Sequence, residues 1–183
     1  MSKIYYHFYP SPVGKLLCIA DQTGLIGIEF EQEQLATTAE KWQQADATSG
    51  QIWQIFCKSD EMLDRYFAGE TLDVSVLDFL APKGTAFQQS VWKILRQIPF
   101  GQTTSYGEIA QQLGKPNAMR AVGNAVGRNP ISIFIPCHRV LGKNRALTGF
   151  GGGLPTKRYL LQLEKIGYKD QGVEFVNPKN KKW

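Results

Sequence analysis

Three consecutive side chains, Cys137, His138 and Arg139, have the chemistry needed for nucleophilic catalysis. A free thiol ionises near pH 8.5, so only a few per cent of it is reactive thiolate at neutral pH. Activation requires a nearby base, cation or helix N-terminus, and an imidazole and a guanidinium directly follow this thiol. Because neighbours on an extended strand point to opposite faces, His138 reaches the thiol only where the backbone turns or through a water molecule.

The alternative for Cys137 is a buried, unreactive thiol of the kind that fills hydrophobic cores. Cys18, in an apolar strand, and Cys57, on an apolar helix face, are interpreted in that way. The Pro-Cys-His-Arg context favours a reactive residue at position 137. A zinc site is disfavoured, because adjacent Cys and His do not have the spacing of a structural site. No metal is predicted.

The segment that leads to the thiol, "ISIFI" at 131–135, has the apolar and β-branched composition of a buried strand. Pro136 has no N–H to donate to a sheet, so strand pairing is expected to end there. The sequence therefore predicts a buried strand that delivers Cys137 to the rim of a site.

Composition limits the class of protein. The 183 residues are 43% hydrophobic, enough for a substantial core. No run approaches the roughly 18 apolar residues of a membrane span. The N-terminus does not resemble a signal peptide, and only three cysteines are present, so a reducing, cytoplasmic location is predicted.

The two halves of the chain differ in charge. Residues 1–82 contain 5 Lys or Arg and 12 Asp or Glu, a net charge of −7, whereas residues 83–183 contain 16 and 4, a net charge of +12. This asymmetry predicts two domains with that boundary, the second facing an anionic partner, with nucleic acid as the first candidate. Docking of the acidic half on the basic half is the alternative explanation.

The elements of the first half read as an antiparallel meander followed by helices. Strands are predicted at 3–9, 15–20 and 25–30, with turn signals between them, and helices near 32–44 and 51–68.

The second half is predicted to be mostly helical. Helices are expected at 85–98 and 154–167, and two shorter ones lie between them. The first short helix has a capping box, Ser105 and Glu108, and the second starts from Asn117 and ends at Gly127. Two short helices joined by a tight turn are typical of a helix-turn-helix.

The second short helix, "AMRAVGNAVG", consists mostly of alanine and glycine. A helix that reads the major groove would carry several long polar side chains, and here Arg120 stands almost alone. Small residues favour either tight packing between helices or close, sequence-indifferent contact with the minor groove of DNA, with Arg120 as a probe.

"PCHRV" at 136–140 resembles the active-site motif of the O6-alkylguanine-DNA alkyltransferases, also called methylated-DNA–protein-cysteine methyltransferases. The similarity extends over 87–140 and 148–167, and weakly over "SPVGKL" at 11–16. It implies an α+β fold in which a ribonuclease H-like N-terminal domain holds a small antiparallel sheet and helices. The C-terminal domain would be mostly helical, with a helix-turn-helix and the active-site strand or loop.

The resemblance implies DNA repair by direct reversal of damage. The protein would flip O6-alkylguanine, and also O4-alkylthymine, out of the duplex and transfer the alkyl group irreversibly to Cys137, once per molecule. The implied partner is double-stranded DNA that contains alkylated bases, without a cofactor or a membrane. A monomer is expected, and cooperative binding along DNA is left open.

The resemblance also implies roles for single residues. His138 would act through a water as the base, with Glu164 orienting its ring and Asn129 bracing the turn before the active-site strand. Tyr106 would donate a hydrogen bond to the guanine ring, and Arg120 would fill the gap in the base stack. The residues expected to contact DNA are Tyr106, Arg120, Ala118, Ala121 and Gly123, and those expected to line the substrate pocket are Tyr106, Pro136, Val140, Phe150 and Gly151.

The chain departs from the family pattern at several positions. Many members carry Tyr in place of Phe150, and Ser or Ala in place of Gly151. Asp21 and Ile26 occupy positions where some animal members hold zinc ligands, so no zinc is expected.

Two other functions compete with alkyl transfer. One is a non-catalytic relative that binds alkylated bases, although such proteins lack the cysteine. The other is a cysteine hydrolase that uses Cys137, His138 and Glu164 on a small ester or amide.

Overall fold

The computed structural model describes residues 2–30 and 41–170. The chain divides into two compact units, and each is discontinuous in sequence. The first unit is Met1–Leu72, Val76–Lys83 and Pro130–Ser132, and the second is Asp73–Ser75, Gly84–Asn129 and Ile133–Trp183.

The first unit contains the predicted meander. Strands β1 (Tyr5–Ser11), β2 (Gly14–Asp21) and β3 (Gly24–Phe30) pair antiparallel in sequence order, and β4 (Gln43–Gln44) lies parallel to β1. The sheet order is β3-β2-β1-β4. Gly24 is required at the second turn, because its φ is +142° and a Cβ there would lie 2.5 Å from the carbonyl oxygen of Phe79.

A single long helix, α1 (Gln51–Phe67), follows among the described residues of this unit. Its buried side chains are those of one face: Ile52, Phe56, Ser59, Leu63 and Tyr66. Cys57 lies on the other side of this helix and is exposed, so its predicted burial is wrong. The predicted helix near 32–44 lies mostly outside the described residues. Its predicted end is wrong, because residues 43–44 pair with β1 as strand β4.

The second unit is mostly helical, as predicted. Its helices are α2 (Ala86–Leu95), α3 (Tyr106–Gln112), α4 (Met119–Gly127) and α5 (Leu154–Leu163), and its short strands are β5 (Thr104–Ser105) and β6 (Val140–Leu141). Buried Trp92 ties α2 to α4, because its indole Nε1 donates to the carbonyl oxygen of Ala125 over 2.8 Å.

The ends of the helices show what short sequence signals can predict. The capping box of Ser105 and Glu108 is present at α3, as predicted. The start at Asn117 is wrong: α4 begins at Met119, because Ala118 N donates to Lys115 O and closes a separate turn first. The predicted helix 154–167 ends early, at Leu163, and the left-handed backbone of Lys165 (φ 57°) turns the chain away.

None of the helices in the described ranges is long and apolar enough to cross a membrane.

Candidate active site

The segment that leads to the thiol is buried, but it is not a strand. Residues 131–135 are buried, as expected, and residues 136–140 are buried as well, including Cys137, which was expected at a rim. The predicted strand at 131–135 is wrong, because only Ile131 makes an isolated bridge and Ile133 adopts a left-handed conformation with φ 75°. A 3₁₀ turn then spans Cys137–Arg139. The backbone therefore turns at the thiol, which is the condition under which His138 can approach it.

The turn before the thiol is held by a buried amide. A β-branched residue with positive φ costs on the order of 1–3 kcal/mol, so Ile133 must be fixed by its surroundings. The Ile133 side chain is fully buried, and the Asn129 side chain donates from Nδ2 to Ile135 O over 2.6 Å. Asn129 thus contacts the backbone two residues before Cys137, at the turn where the family resemblance implies a brace.

His138 and Glu164 meet inside the second unit, although 26 residues separate them in sequence. Nε2 of His138 lies 2.6 Å from Oε1 of Glu164, and both side chains are fully buried. Glu164 reaches the ring because α5 ends at the preceding residue and Glu164 forms its C-terminal cap. The sequence-predicted partners are therefore in contact.

Arg139 has a structural partner that the sequence did not reveal. Its guanidinium donates to both carboxylate oxygens of Glu164, with Nε 2.9 Å from Oε2 and Nη2 3.0 Å from Oε1. Nη1 donates to Ile98 O over 2.6 Å, and the side chain is fully buried. The backbone N–H of Gly101 also donates to Glu164 Oε2, over 3.1 Å. The carboxylate therefore receives hydrogen bonds from three residues.

These contacts fix the protonation of the site. Burial opposes ionisation of Glu164, but hydrogen bonds and charge from His138 and Arg139 outweigh it and lower the carboxyl pKa to about 2. Burial lowers the pKa of His138, although Glu164 acts in the opposite direction. The arrangement at pH 7 is a neutral imidazole beside a carboxylate that is paired with Arg139. Because a carboxylate only accepts, Nε2 carries the ring proton and Nδ1 is left as the basic nitrogen.

A short parallel pair of strands brings Tyr106 to the site. Strand β5 directly precedes Tyr106, and strand β6 directly follows the 3₁₀ turn that contains the thiol. Because Thr104 pairs with Val140 and Ser105 with Leu141, the two strands hold Tyr106 beside that turn. Burial raises the pKa of the Tyr106 phenol, and its proximity to Cys137 acts in the same direction. The phenol is therefore neutral and available as a hydrogen-bond donor.

Two further polar residues of the site, Thr148 and Lys157, were not predicted. Lys157 is 1% exposed, and its Nζ donates to Val140 O over 2.7 Å. Thr148 Oγ1 lies 3.0 Å from Tyr106 Oη. The sequence does contain a signal for Lys157, which lies three residues from both Leu154 and Leu160 on the apolar face of α5. A lysine at such a position indicates a buried polar contact.

The residues expected to line a substrate pocket differ in exposure. Pro136 and Val140 are buried, Phe150 is half-buried and Gly151 is exposed. Phe150 and Gly151 belong to a segment between β6 and α5, residues 147–153, that has no regular secondary structure.

The small-residue helix α4 has an exposed side and a packed side. Arg120 and Ala121 are exposed, and Ala118 is half-buried. Arg120 makes no hydrogen bond or ion pair with any residue in the described ranges. Gly123 packs instead against Tyr106, since a Cβ at Gly123 would lie 3.9 Å from the phenol ring. The small residues therefore serve helix packing on one side and leave a smooth surface on the other.

Comparison with protein families finds two matches that together span most of the chain. Residues 4–80 match the ribonuclease-like domain of 6-O-methylguanine DNA methyltransferase, and residues 86–166 match its DNA binding domain.

Individual proteins agree with this assignment. The chain is 51% identical over 179 residues to a methylated-DNA–protein-cysteine methyltransferase of Haemophilus influenzae. The aligned region covers 98% of this chain and 96% of that relative. A Methanosarcina acetivorans protein of the same name is 43% identical over 88% of this chain and 98% of its own length. The crystal structure of Mycobacterium tuberculosis OGT in complex with DNA is 42% identical, with a TM-score of 0.76 over 88% of this chain and 92% of that one.

Proposed function

Since the chain belongs to the 6-O-methylguanine DNA methyltransferase family, we propose that it repairs alkylated DNA by transferring the alkyl group to its own Cys137. The observation that carries this function is the turn Cys137–Arg139, in which a thiol is followed by an imidazole that a buried, ionised carboxylate holds. The rival hydrolase uses the same three side chains, and no observation of this structure favours it.

The transfer step needs a thiolate and an acceptor for its proton. The thiol proton passes to Nδ1 of His138, through a water molecule, while Nε2 keeps its hydrogen bond to Glu164. The sulfur of Cys137 then attacks the alkyl carbon as the bond from that carbon to O6 breaks, and both bonding electrons stay with the guanine. Glu164 stabilises the imidazolium that forms, which is the role of a carboxylate behind a catalytic histidine.

The leaving base must not depart as an anion. Tyr106 donates a hydrogen bond to the guanine ring and so disperses the developing charge until the base takes up a proton from water, while the imidazolium of His138 returns the proton of the thiol to water. The product is a thioether at Cys137 together with unmodified guanine. Because a thioether is not readily hydrolysed, each molecule acts once.

Binding to duplex DNA is assigned to the pair α3 and α4 as a helix-turn-helix. The support is the match of residues 86–166 to a DNA binding domain and the exposure of Arg120 and Ala121 on α4. In this arrangement Ala118 and Ala121 let the helix backbone approach the minor groove, Gly123 lets Tyr106 lie against the same helix beside the DNA, and Arg120 fills the space that the flipped nucleotide leaves.

The remaining assignments extend this function. The predicted domain 83–183, within which residues 86–166 match a DNA binding domain, carries DNA binding and alkyl transfer, and the predicted domain 1–82 contains the ribonuclease-like match over residues 4–80. Asn129 braces the turn before the thiol, and Pro136, Val140, Phe150 and Gly151 line the pocket for the alkylated base. The protein acts as a monomer on O6-alkylguanine and O4-alkylthymine in double-stranded DNA.

Mass spectrometry of the intact protein tests the proposal. After mixing with an excess of duplex that contains O6-methylguanine, the protein should gain one methyl group, and methyl release should stop at one equivalent. An unchanged protein mass would indicate a protein that only binds. Continuous loss of an ester or amide substrate, with no change in protein mass, would indicate a hydrolase.

A further inference from the structure

A chain of hydrogen bonds in the second unit leads from Lys157 on α5 to the phenol of Tyr106. Nζ of Lys157 lies 2.7 Å from Val140 O and 3.3 Å from Oγ1 of Thr148. The same Oγ1 lies 3.0 Å from Tyr106 Oη. The transfer step described above uses Tyr106 but neither of the other two side chains.

We propose that Thr148, held by Lys157, is a positioning residue that points the phenolic proton of Tyr106 toward the substrate base. The inference rests on the proposed function, in which Tyr106 donates a hydrogen bond to the guanine ring. It adds two residues that control whether that donor is aimed correctly before the base arrives.

The chemistry of the three groups gives the chain a direction. An ammonium group only donates, so Oγ1 of Thr148 accepts from Lys157. Thr148 has one hydroxyl proton, and within residues 2–30 and 41–170 its only other hydrogen-bond partner is Tyr106. That proton therefore goes to the phenolic oxygen, and the phenol keeps its own proton for another acceptor. Hydrogen bonds then run from Lys157 through Thr148 and Tyr106 to the base.

The side chain of Thr148 is also sterically fixed. Its methyl carbon Cγ2 packs against Gly142, so closely that a Cβ at that glycine would lie only 2.7 Å from it. A threonine whose methyl group is packed has a restricted χ1. The hydroxyl is therefore held on the side of Tyr106 and Lys157.

Lys157 occupies its place at a cost that packing alone does not explain. Burial lowers the pKa of its ammonium to about 8, while the charge of Cys137 acts in the opposite direction. The protonated form still dominates at pH 7. A methionine would fill this position on the apolar face of α5 without burying a charge, so the ammonium supplies something that shape does not.

The first test replaces the hydroxyl while keeping its shape. Thr148→Val should lower the single-turnover rate of methyl transfer about tenfold, the effect of one neutral hydrogen bond, with duplex affinity changed less than about twofold. Thr148→Ser should recover the rate to within about threefold, because it restores the hydroxyl. Thr156→Val is the matched control on α5 and should transfer at the wild-type rate. If Thr148→Val does not fold, Thr148→Ser and Thr148→Ala, which both lack the methyl group, isolate the hydroxyl instead.

A double-mutant cycle separates positioning from structure. In a Tyr106→Phe background no phenolic proton exists, so Thr148→Val should cause no further loss of rate. Lys157→Met should slow transfer in the wild-type background and not in Tyr106→Phe. If Thr148→Val lowers the rate by the same factor in both backgrounds, or not at all in the wild-type background, the positioning role is wrong.

The same assay distinguishes this inference from the proposed function. A wild-type protein that never gains a methyl group on Cys137 contradicts the function itself. A wild-type protein that transfers normally, beside a Thr148→Val variant of equal rate, contradicts only the role of Thr148.

Discussion

Each unit of the molecule contains a cysteine, a histidine and a carboxylate in a cluster, yet only one cluster is arranged for nucleophilic chemistry. In the first unit, Cys18 on β2 pairs across the sheet with His7 on β1, and His7 Nε2 lies 2.9 Å from Oδ2 of Asp60. In the second unit, His138 follows Cys137 in a 3₁₀ turn and binds Glu164 over 2.6 Å. The residue types are equivalent, so the difference must come from their environment.

The two clusters differ in backbone and in charge. Cys18 is fully buried within a strand, and burial together with the negative charge of Asp60 raises the pKa of its thiol to about 12. In the second unit Arg139 pairs with Glu164, and Lys157 lies near the thiol. We therefore attribute the proposed reactivity of Cys137 to the cations that offset Glu164 and to the backbone turn at the thiol.

The largest expected contrast between the clusters is in the transfer reaction. Cys137→Ala should abolish methyl transfer while leaving duplex affinity nearly intact, because the thiol supplies chemistry and not phosphate contacts. Cys18→Ala should leave transfer unchanged and only lower the free energy of unfolding, since it removes a buried atom. Transfer of a radiolabelled methyl group from duplex DNA measures the first effect, and urea unfolding measures the second. Residual transfer by Cys137→Ala would remove the basis of the contrast.

The second contrast is in stability. Glu164→Gln removes the partner of buried Arg139 and should cost about 3–5 kcal/mol in the free energy of unfolding. Asp60 is one-third exposed, so Asp60→Asn should cost less than about 1 kcal/mol. Urea unfolding of both variants beside the wild-type protein makes the measurement. Equal losses would show that the Glu164 pair is no more important to the fold than the partly exposed His7–Asp60 pair.

The pH dependence of stability sharpens the same comparison. The pKa of Glu164 is lowered from 4.5 to about 2, so its contribution is fully present above pH 4.5 and is lost as the pH falls toward 2. Unfolding free energies measured from pH 6 to pH 2 should fall more steeply in the wild-type protein than in Glu164→Gln. Parallel curves would mean that the carboxyl has no lowered pKa in the folded state.

A third contrast compares one arginine from each unit. If Arg120 fills the vacated base stack, Arg120→Ala should slow repair of duplex DNA. The increase in activation free energy should be a few kcal/mol at most. Reaction with free O6-methylguanine, which needs no flipping, should be almost unaffected. Arg65→Ala is the control, because Arg65 is also exposed but pairs with Glu70 in the first unit. Equal slowing on both substrates would show that Arg120 supports the fold rather than the flipped state.

The smallest expected effect concerns the unreactive thiol. Because the charge of Asp60 contributes to the raised pKa of Cys18, Asp60→Asn should lower that pKa without changing methyl transfer. Thiolate absorbance, titrated in a protein whose other two cysteines are replaced by alanine, measures the shift. An unchanged or higher pKa would mean that burial alone makes Cys18 unreactive.

The sequence predicted those features that depend on neighbouring residues. The turns between β1, β2 and β3 and the capping box at Ser105 are local, and the structure contains both. The prediction of a strand at 131–135 is wrong because apolar composition predicts burial but does not determine backbone conformation. Nothing local indicates that Ile133 has a positive φ, which the fold imposes from outside the segment.

The site shows the same limit. Contact between His138 and Glu164 followed from the family resemblance, and the structure contains it. The roles of Arg139 and Lys157 were missed because their partners lie 25 and 17 residues away, beyond any periodicity of the sequence. Only the presence of Lys157 among apolar helix positions pointed to a buried polar contact.

The most direct test of alkyl transfer to Cys137 locates the transferred group. The wild-type protein is mixed with one equivalent of O6-methylguanine duplex, digested, and its three cysteine-containing peptides are sequenced by tandem mass spectrometry. We expect S-methylcysteine at position 137, with Cys18 and Cys57 unmodified. A methyl group on Cys18 or Cys57, or on no cysteine while the DNA is repaired, would contradict it.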